Sequence, residues 1–250
     1  MLQHETPLYT GLKNTPAKPD PVPYTGAQKG SGMDPEFREF IGENALSIDL
    51  INIEPLDDLH APKGIIKQAQ DLAAEAFGAD YTFFSVQGTS GAIMTMVMAV
   101  CGPGDKIIVP RNVHKSVMSA IVFSGAVPIF IHPEIDDELG ISHGITPESA
   151  KKRCLSILTQ RTARHQPDLF RHSCRLKSIV ELAHSFHVPV LVDEAHGVHI
   201  HFHEDLPLSA MQAGADMAAT SVHKLGGSLT QSSILNMKEG LVSKERVQSI

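Results

Sequence analysis

The sequence predicts an α/β chain built on a parallel sheet covered by helices on both faces. Three observations predict it. Short apolar runs of strand length alternate with helix-length segments from about residue 65 onward. The run Val188-Pro189-Val190-Leu191-Val192 is apolar throughout, as a strand buried on both faces must be. Three polar groups, "QGTSG", "DEAHG" and "SVHK", follow such runs, and ligands of parallel sheets sit beyond the carboxyl ends of the strands.

In chain order, the first thirty residues hold Pro7, Pro16, Pro19, Pro21 and Pro23, which predicts an extended arm rather than a helix. Ile65, Ile66, Ala69, Leu72, Ala73, Ala76 and Phe77 recur at helical spacing, with Gly78 as the stop. A strand through Thr82–Val86 leads by a glycine turn into an apolar helix from about Ser90 to Cys101. Gly102-Pro103-Gly104-Asp105 is a turn, Lys106–Pro110 a strand, His114–Phe123 a helix and Val127–Ile131 a third strand. Leu176–Phe186 is an amphipathic helix, and Val188–Val192 a strand that ends at Asp193. A short helix near Leu208–Ala213 precedes a strand around Ala218–Val222. No internal repeat is present.

The 250 residues suit one large domain or two small ones, and 42% hydrophobic with 20% charged residues supports a packed core. A net charge of −7 and a pI near 6.0 argue against a nucleic-acid-binding protein. Cys101, Cys154 and Cys174 form no metal-ligand spacing, which fits a reducing, cytoplasmic setting. No apolar signal core and no membrane-length apolar run is seen.

Asp193-Glu194-Ala195-His196 has the letters of a helicase motif. A nucleotide hydrolase also needs a GxxxxGK[ST] phosphate loop, and neither "GAQKGSG" nor "CGPGDK" supplies one. His199, His201 and His203 would share one face of a strand and could bind zinc; a polar edge segment is the favoured alternative, and no metal site is assigned.

Three groups explain more together than apart. Gly88-Thr89-Ser90-Gly91 lies between a strand and a helix N-terminus, which suits an anion or an ordinary turn. Asp193 ends a buried strand and needs a cationic partner, a protonated pyridine nitrogen or else a cap or salt bridge. Lys224, flanked by Ser221 and His223 and followed by Gly226-Gly227, is a candidate Schiff-base lysine or a surface lysine. An anchored phosphate, a carboxylate for the ring nitrogen and a lysine for the aldehyde are what pyridoxal 5'-phosphate requires. His114, in "RNVHKS", offers a flat ring to stack on the pyridine.

The motifs "LDDLHAPKG", "FFSVQGTSGA", "PRNVHKS", "VPVLVDEAHGVH" and "TSVHKLGGSLTQSS" resemble those of the Orn/Lys/Arg decarboxylase family, fold-type-I pyridoxal-phosphate enzymes, and most of all its short biosynthetic arginine decarboxylases of Gram-positive bacteria. The resemblance implies a three-layer, doubly wound, mostly parallel sheet: an extended arm over residues 1–44 and a cofactor-binding major domain over 45–250, truncated and without the small C-terminal domain. It implies Lys224 as the cofactor lysine, Asp193 at the pyridine nitrogen, His114 stacked on the ring, and His196 and Ala195 beside it. Gly88, Thr89, Ser90, Ser221 and His223 would hold the phosphate, and Lys224, His114 and His196 would be the catalytic groups. The implied reaction is decarboxylation of a basic amino acid, arginine to agmatine foremost, in polyamine biosynthesis. A homodimer or larger homo-oligomer is implied, with no nucleic-acid or membrane partner. Another fold-type-I activity, aminotransferase or lyase, and an inactive fragment are the alternatives.

Two stretches depart from the family. The window from Arg153 to Arg175 holds five arginines where the family places an apolar strand, which suggests compensating frameshifts or a surface insertion. It is expected to be expelled as a loop beside Asp193, leaving the chain with little activity. "TGAQKG" near the N-terminus also differs from the family's pattern.

Overall fold

The computed structural model describes residues 2–15, 32–50, 54–158, 168–170 and 176–250, with the backbone alone at 54, 153–158 and 168–170. The chain divides into two compact units, Met1–Ala73 and Ala74–Ile250.

The first unit is helical: α1 (Pro7–Asn14), α2 (Pro35–Ile41), α3 (Glu43–Ile48), a 3₁₀ turn at Glu54–Leu56 and most of α4 (Ile65–Phe77). The extended arm is therefore corrected, since α1 occupies part of it. Pro7 sits in the first turn, where its missing N–H is not needed. Thr15 closes the other end, its hydroxyl donating to the Gly11 carbonyl at 2.7 Å. Pro35 follows Asp34, whose carboxylate accepts from the N–H groups of Glu36 and Phe37, both at 3.1 Å. Pro16, Pro19, Pro21, Pro23 and the "TGAQKG" stretch lie outside the described residues.

Asp57 organises the entry to α4. It takes a left-handed φ of 73°, and its carboxylate accepts from the N–H groups of Asp58, Lys63, Gly64, Ile66 and Lys67 at 2.7–3.3 Å. Desolvation alone would raise this carboxyl. The N–H groups of Lys63, Asp58, Gly64 and Lys67 outweigh it and lower the pKa from 3.8 to about 2.

In the second unit the elements are β1 (Tyr81–Ser85), α5 (Gly88–Val100), β2 (Lys106–Pro110), α6 (Lys115–Ser124), β3 (Val127–Ile131), a small hairpin of β4 (Ile135–Asp136) and β5 (Ile141–Ser142), and α7 (Pro147–Leu158). Then follow β6 (Asp168–Phe170), α8 (Leu176–Ser185), β7 (Val190–Asp193), β8 (Met217–Ser221), α9 (Val222–Leu225), β9 (Ser233–Met237) and α10 (Lys244–Gln248). Seven strands form one sheet in the order β1-β9-β8-β7-β6-β2-β3. Among the described strands β9 runs antiparallel to both β1 and β8, and the other pairings of this sheet are parallel. Gly78, at φ 65°, ends α4, and Ala79 N–H returns to the Ala74 carbonyl at 2.9 Å.

Alternation along β7 explains why this strand is apolar on both sides. Leu191 packs with Met96 and Val97 of α5 and Val117 of α6. Val190 and Val192 pack with Ile179 and Val180 of α8 on the opposite face. At the amino end of β7, buried Asp216 accepts from the Val190 N–H at 2.7 Å and pairs with His184 at 2.8 Å.

Three expectations are corrected. The expected helix at 208–213 is instead a turn over 210–214, with Ala213 N–H bonded to the Ser209 carbonyl at 2.9 Å and Gly214 at φ 86°. His199, His201 and His203 do not lie on a strand, because Ile200–Phe202 is a 3₁₀ turn. His201 instead bonds Ser209 Oγ through Nδ1 at 2.8 Å and packs on Phe77, and burial lowers its pKa, aided by Lys238. Among the described residues no group of three His, Cys, Asp or Glu is placed to hold a metal. Finally, the arginine-rich window is not wholly a loop: α7 runs to Leu158, and β6 fills the sheet position between β2 and β7. Its backbone pairs Asp168 with Ile108 and Asp168–Phe170 with Val190–Val192. Backbone pairing needs no particular side chain, so three residues suffice to keep the sheet continuous. Arg161, Arg164, Arg171, Cys174 and Arg175 lie outside the described residues.

Replacing Asp57 with Ala is expected to destabilise the start of α4 by roughly 1–2 kcal/mol, the scale of a lost N-terminal cap. Faster amide exchange at Gly64, Ile66 and Lys67 is the measurement. In the unsubstituted chain the same protection should hold above pH 3.8 and fade as pH falls toward about 2, because the folded-state pKa is depressed.

Candidate active site

The carboxyl ends of β1, β8, β7 and β2 face one edge of the sheet, joined there by the amino end of antiparallel β9. Ser85, Ser233 and Ser221 are cross-strand partners in one row along that edge, and paired residues project to the same face. The N-terminus of α5 lies at this row. Gly88 opens the helix and is buried, Ser90 is exposed, and the Thr89 and Ser221 hydroxyls, both buried, are hydrogen-bonded to each other. The Ser85 hydroxyl donates to the Gly88 carbonyl at 3.0 Å. Ser233 Oγ is buried without a hydrogen-bond partner, in the same row. Hydroxyls at a 13-residue helix's free N–H groups form a cradle for an anion.

Asp193 ends β7, half-buried, and its Oδ1 accepts from the N–H of buried Ala195 at 3.2 Å. One residue past β8, α9 carries His223 and Lys224. The exposed Lys224 Nζ stands 3.1 Å from His196 Nε2, so the structure joins these two sites across 28 residues. His223 Nδ1 is 2.9 Å from the Ser232 carbonyl. A carbonyl only accepts, so Nδ1 carries a proton; Nε2 can donate to an anion only when the ring is protonated there as well, as an imidazolium. His114 caps α6 after β2, its Nδ1 2.8 Å from Ser116 Oγ; its described hydrogen bonds are local. The motif containing Asp57 belongs to the first unit.

Sequence reasoning missed Ser233 and Glu194. The "QSS" at the head of β9 signals a polar start to an apolar strand, but nothing local shows that Ser233 is buried beside Ser221. Glu194 Oε1 accepts from the Ala210 N–H at 2.7 Å, and Thr220 Oγ1 donates to Oε2 at 3.5 Å. Burial pushes its pKa up from 4.5 to about 7 against both bonds.

Residues 6–250 match the model of the Orn/Lys/Arg decarboxylase major domain. The chain belongs to the Orn/Lys/Arg decarboxylase family. It is 79% identical over 257 aligned residues to an arginine decarboxylase of Bacillus subtilis (strain 168), covering 100% of this chain and 51% of that protein. It is 70% identical over 254 residues to an arginine decarboxylase of Bacillus anthracis, covering 99% of this chain and 51% of the relative. The chain thus spans about half the length of these curated relatives. Its fold matches a lysine decarboxylase of Francisella novicida with a TM-score of 0.82 and 24% identity, over 98% of this chain and 36% of that one. The three-layer, mostly parallel sheet expected of the family is the fold observed. Among the described residues, no helix is long and apolar enough to cross a membrane.

Glu194 yields a pH prediction. Its folded-state pKa lies above the unfolded value, so the native state holds the extra proton between pH 4.5 and about 7, and stability falls as pH rises through that window. Glu194→Gln removes the buried charge. Its stability relative to the parent should rise by roughly 1–3 kcal/mol between pH 5 and pH 8 in urea unfolding. A difference independent of pH would contradict the burial of this carboxylate.

Proposed function

We propose that this chain carries the cofactor site of a pyridoxal-phosphate-dependent decarboxylase of basic amino acids, with arginine as substrate and agmatine and CO₂ as products. The observation that carries the reading is the pairing of Lys224 Nζ with His196 at the ends of adjoining strands β7 and β8, beside Asp193 and a hydroxyl-lined helix N-terminus. Its relatives in two Bacillus species are named arginine decarboxylases, which supports arginine.

The residues fit the cofactor. The Thr89 and Ser221 hydroxyls and the free N–H groups of α5 suit a phosphate, and the orphaned Ser233 hydroxyl lies in the same row. Asp193 offers a carboxylate to a protonated ring nitrogen, and Lys224 offers a primary amine to an aldehyde. When bound, pyridoxal phosphate accepts the electron pair left behind as CO₂ departs. The protein's own part is positional. Asp193 would hold positive charge at the ring nitrogen, and the α5 end, with His223 as a donor from Nε2 in its imidazolium form, would hold the phosphate. His196 accepts or returns a proton at Lys224 Nζ, and His114 would cover the ring. A homo-oligomer is part of the proposal, supported by the exposed Val122 and Phe123 on α6 and by Val127 after it.

With pyridoxal phosphate and borohydride, label should be fixed on the peptide containing Ser221–Lys224 and be absent in Lys224→Ala; label on Lys106 or Lys115 would overturn the assignment. In a version extended to the full length of its relatives, arginine should give CO₂ and agmatine, and a keto acid would point to an aminotransferase instead. In that full-length version Asp193→Asn should keep the fold yet lower turnover at least about tenfold, ~1.4 kcal/mol of barrier, because an amide cannot hold the ring nitrogen protonated. Circular dichroism and initial rates together check it.

A further inference from the structure

We infer that Glu194 is a positioning residue: its side chain ties the loop after β7 to β8 and to the 210–214 turn, and so sets the contact between His196 and Lys224. The inference rests on reading those two residues as the reactive pair.

The two reactive groups sit on different segments. His196 lies in the loop that leaves β7 after Asp193, and Lys224 in α9, which leaves β8 after Ser221. The ladder between β7 and β8 closes with the Glu194 N–H on the Ala219 carbonyl at 3.0 Å. Past that rung the two chains diverge, and His196 and Lys224 both lie beyond it. The Glu194 side chain extends the connection where the backbone ladder ends. Oε1 takes the Ala210 N–H at 2.7 Å, sixteen residues on, and Oε2 faces the hydroxyl of Thr220, the residue before Ser221, at 3.5 Å. The loop is turned tightly around this side chain, with Gly197 N–H on the Glu194 carbonyl at 2.8 Å. A Cβ at Gly197 would overlap Glu194 Cγ, so glycine is what lets the carboxylate fold back under the turn. Thr220 and Ala210 are fully buried, which makes their partner a poor choice for stability alone. A largely buried carboxylate with no cation facing it in these bonds costs more than an amide or an apolar side chain of the same shape. Burial accordingly pushes this carboxyl up to about 7. Its benefit is geometric: one rigid side chain holds both segments at the pair.

The test needs no cofactor. The purified chain is treated with limiting acetic anhydride at fixed pH, and acetylation is read by mass spectrometry at Lys224, with half-buried Lys106 and exposed Lys177 as internal references. In Glu194→Ala, Lys224 should be acetylated about two- to tenfold faster relative to both references, the span that one lost hydrogen bond covers. His196→Ala should do the same. Glu194→Gln, whose amide can accept from Ala210 and donate to Thr220, should restore the parental ratio. An unchanged Lys224 ratio in Glu194→Ala or in His196→Ala overturns the inference. So does a rise of all three lysines together, which is general loosening, or failure of Gln to restore the ratio. If borohydride fixes no pyridoxal phosphate while the acetylation pattern holds, the decarboxylase reading fails and the positioning role stands. The reverse outcome separates them the other way.

Discussion

The candidate site depends on one constraint, the parallel register of β7 against β8. Leu191 lies opposite Met217, Val192 opposite Ala218 and Asp193 opposite Ala219. Because side chains alternate along a strand, a slip of one residue would turn Asp193 to the other face and Leu191 out of its cluster. The register is held by packing. Leu191, Met217 and Ala219 bury toward α5, while Val190, Val192 and Ala218 bury toward α8. The small alanines of β8 let helices on both faces close over the strand. The carboxylate, the lysine and the hydroxyls inherit their positions from this arrangement.

The antiparallel strand β9 adds what a wholly parallel sheet would lack. Running against β8 and β1, it brings an amino-terminal residue, Ser233, to the edge where its neighbours present carboxyl-terminal ones, Ser221 and Ser85. A continuous row of hydroxyls results at the N-terminus of α5. The same strand carries Asn236, whose Oδ1 accepts from Thr82 Oγ1 at 2.7 Å while its Nδ2 is buried without a partner. Polar groups inside this sheet are thus concentrated on β1, β8 and β9, and the apolar strands β2 and β7 lie beyond them.

Legibility in the sequence followed how local the cause was. Strands β2 and β3 match their expected limits, and α4 ends at Gly78 as periodicity and glycine chemistry implied. The prolines of the first thirty residues misled at Pro7, because proline breaks a helix interior but suits a first turn. The alternating histidines, for which no metal site is assigned, fall on a 3₁₀ turn, because periodicity alone cannot separate a strand from such a turn over five residues. The arginine-rich window suggested a gap in the sheet, yet β6 supplies backbone hydrogen bonds there.

The sequence by itself determined the α/β class, the candidate cofactor groups and the family, because glycine turns, buried strands and strand-end polar groups are short-range signals carried by residue type and spacing. Tertiary structure decided which of those groups meet. The Lys224–His196 contact spans 28 residues, the Thr89–Ser221 contact 132, and the bond from Ala210 to Glu194 16. Such distances are set by strand order and register, which arise from the packing of both sheet faces at once. No segment of the chain encodes that packing alone.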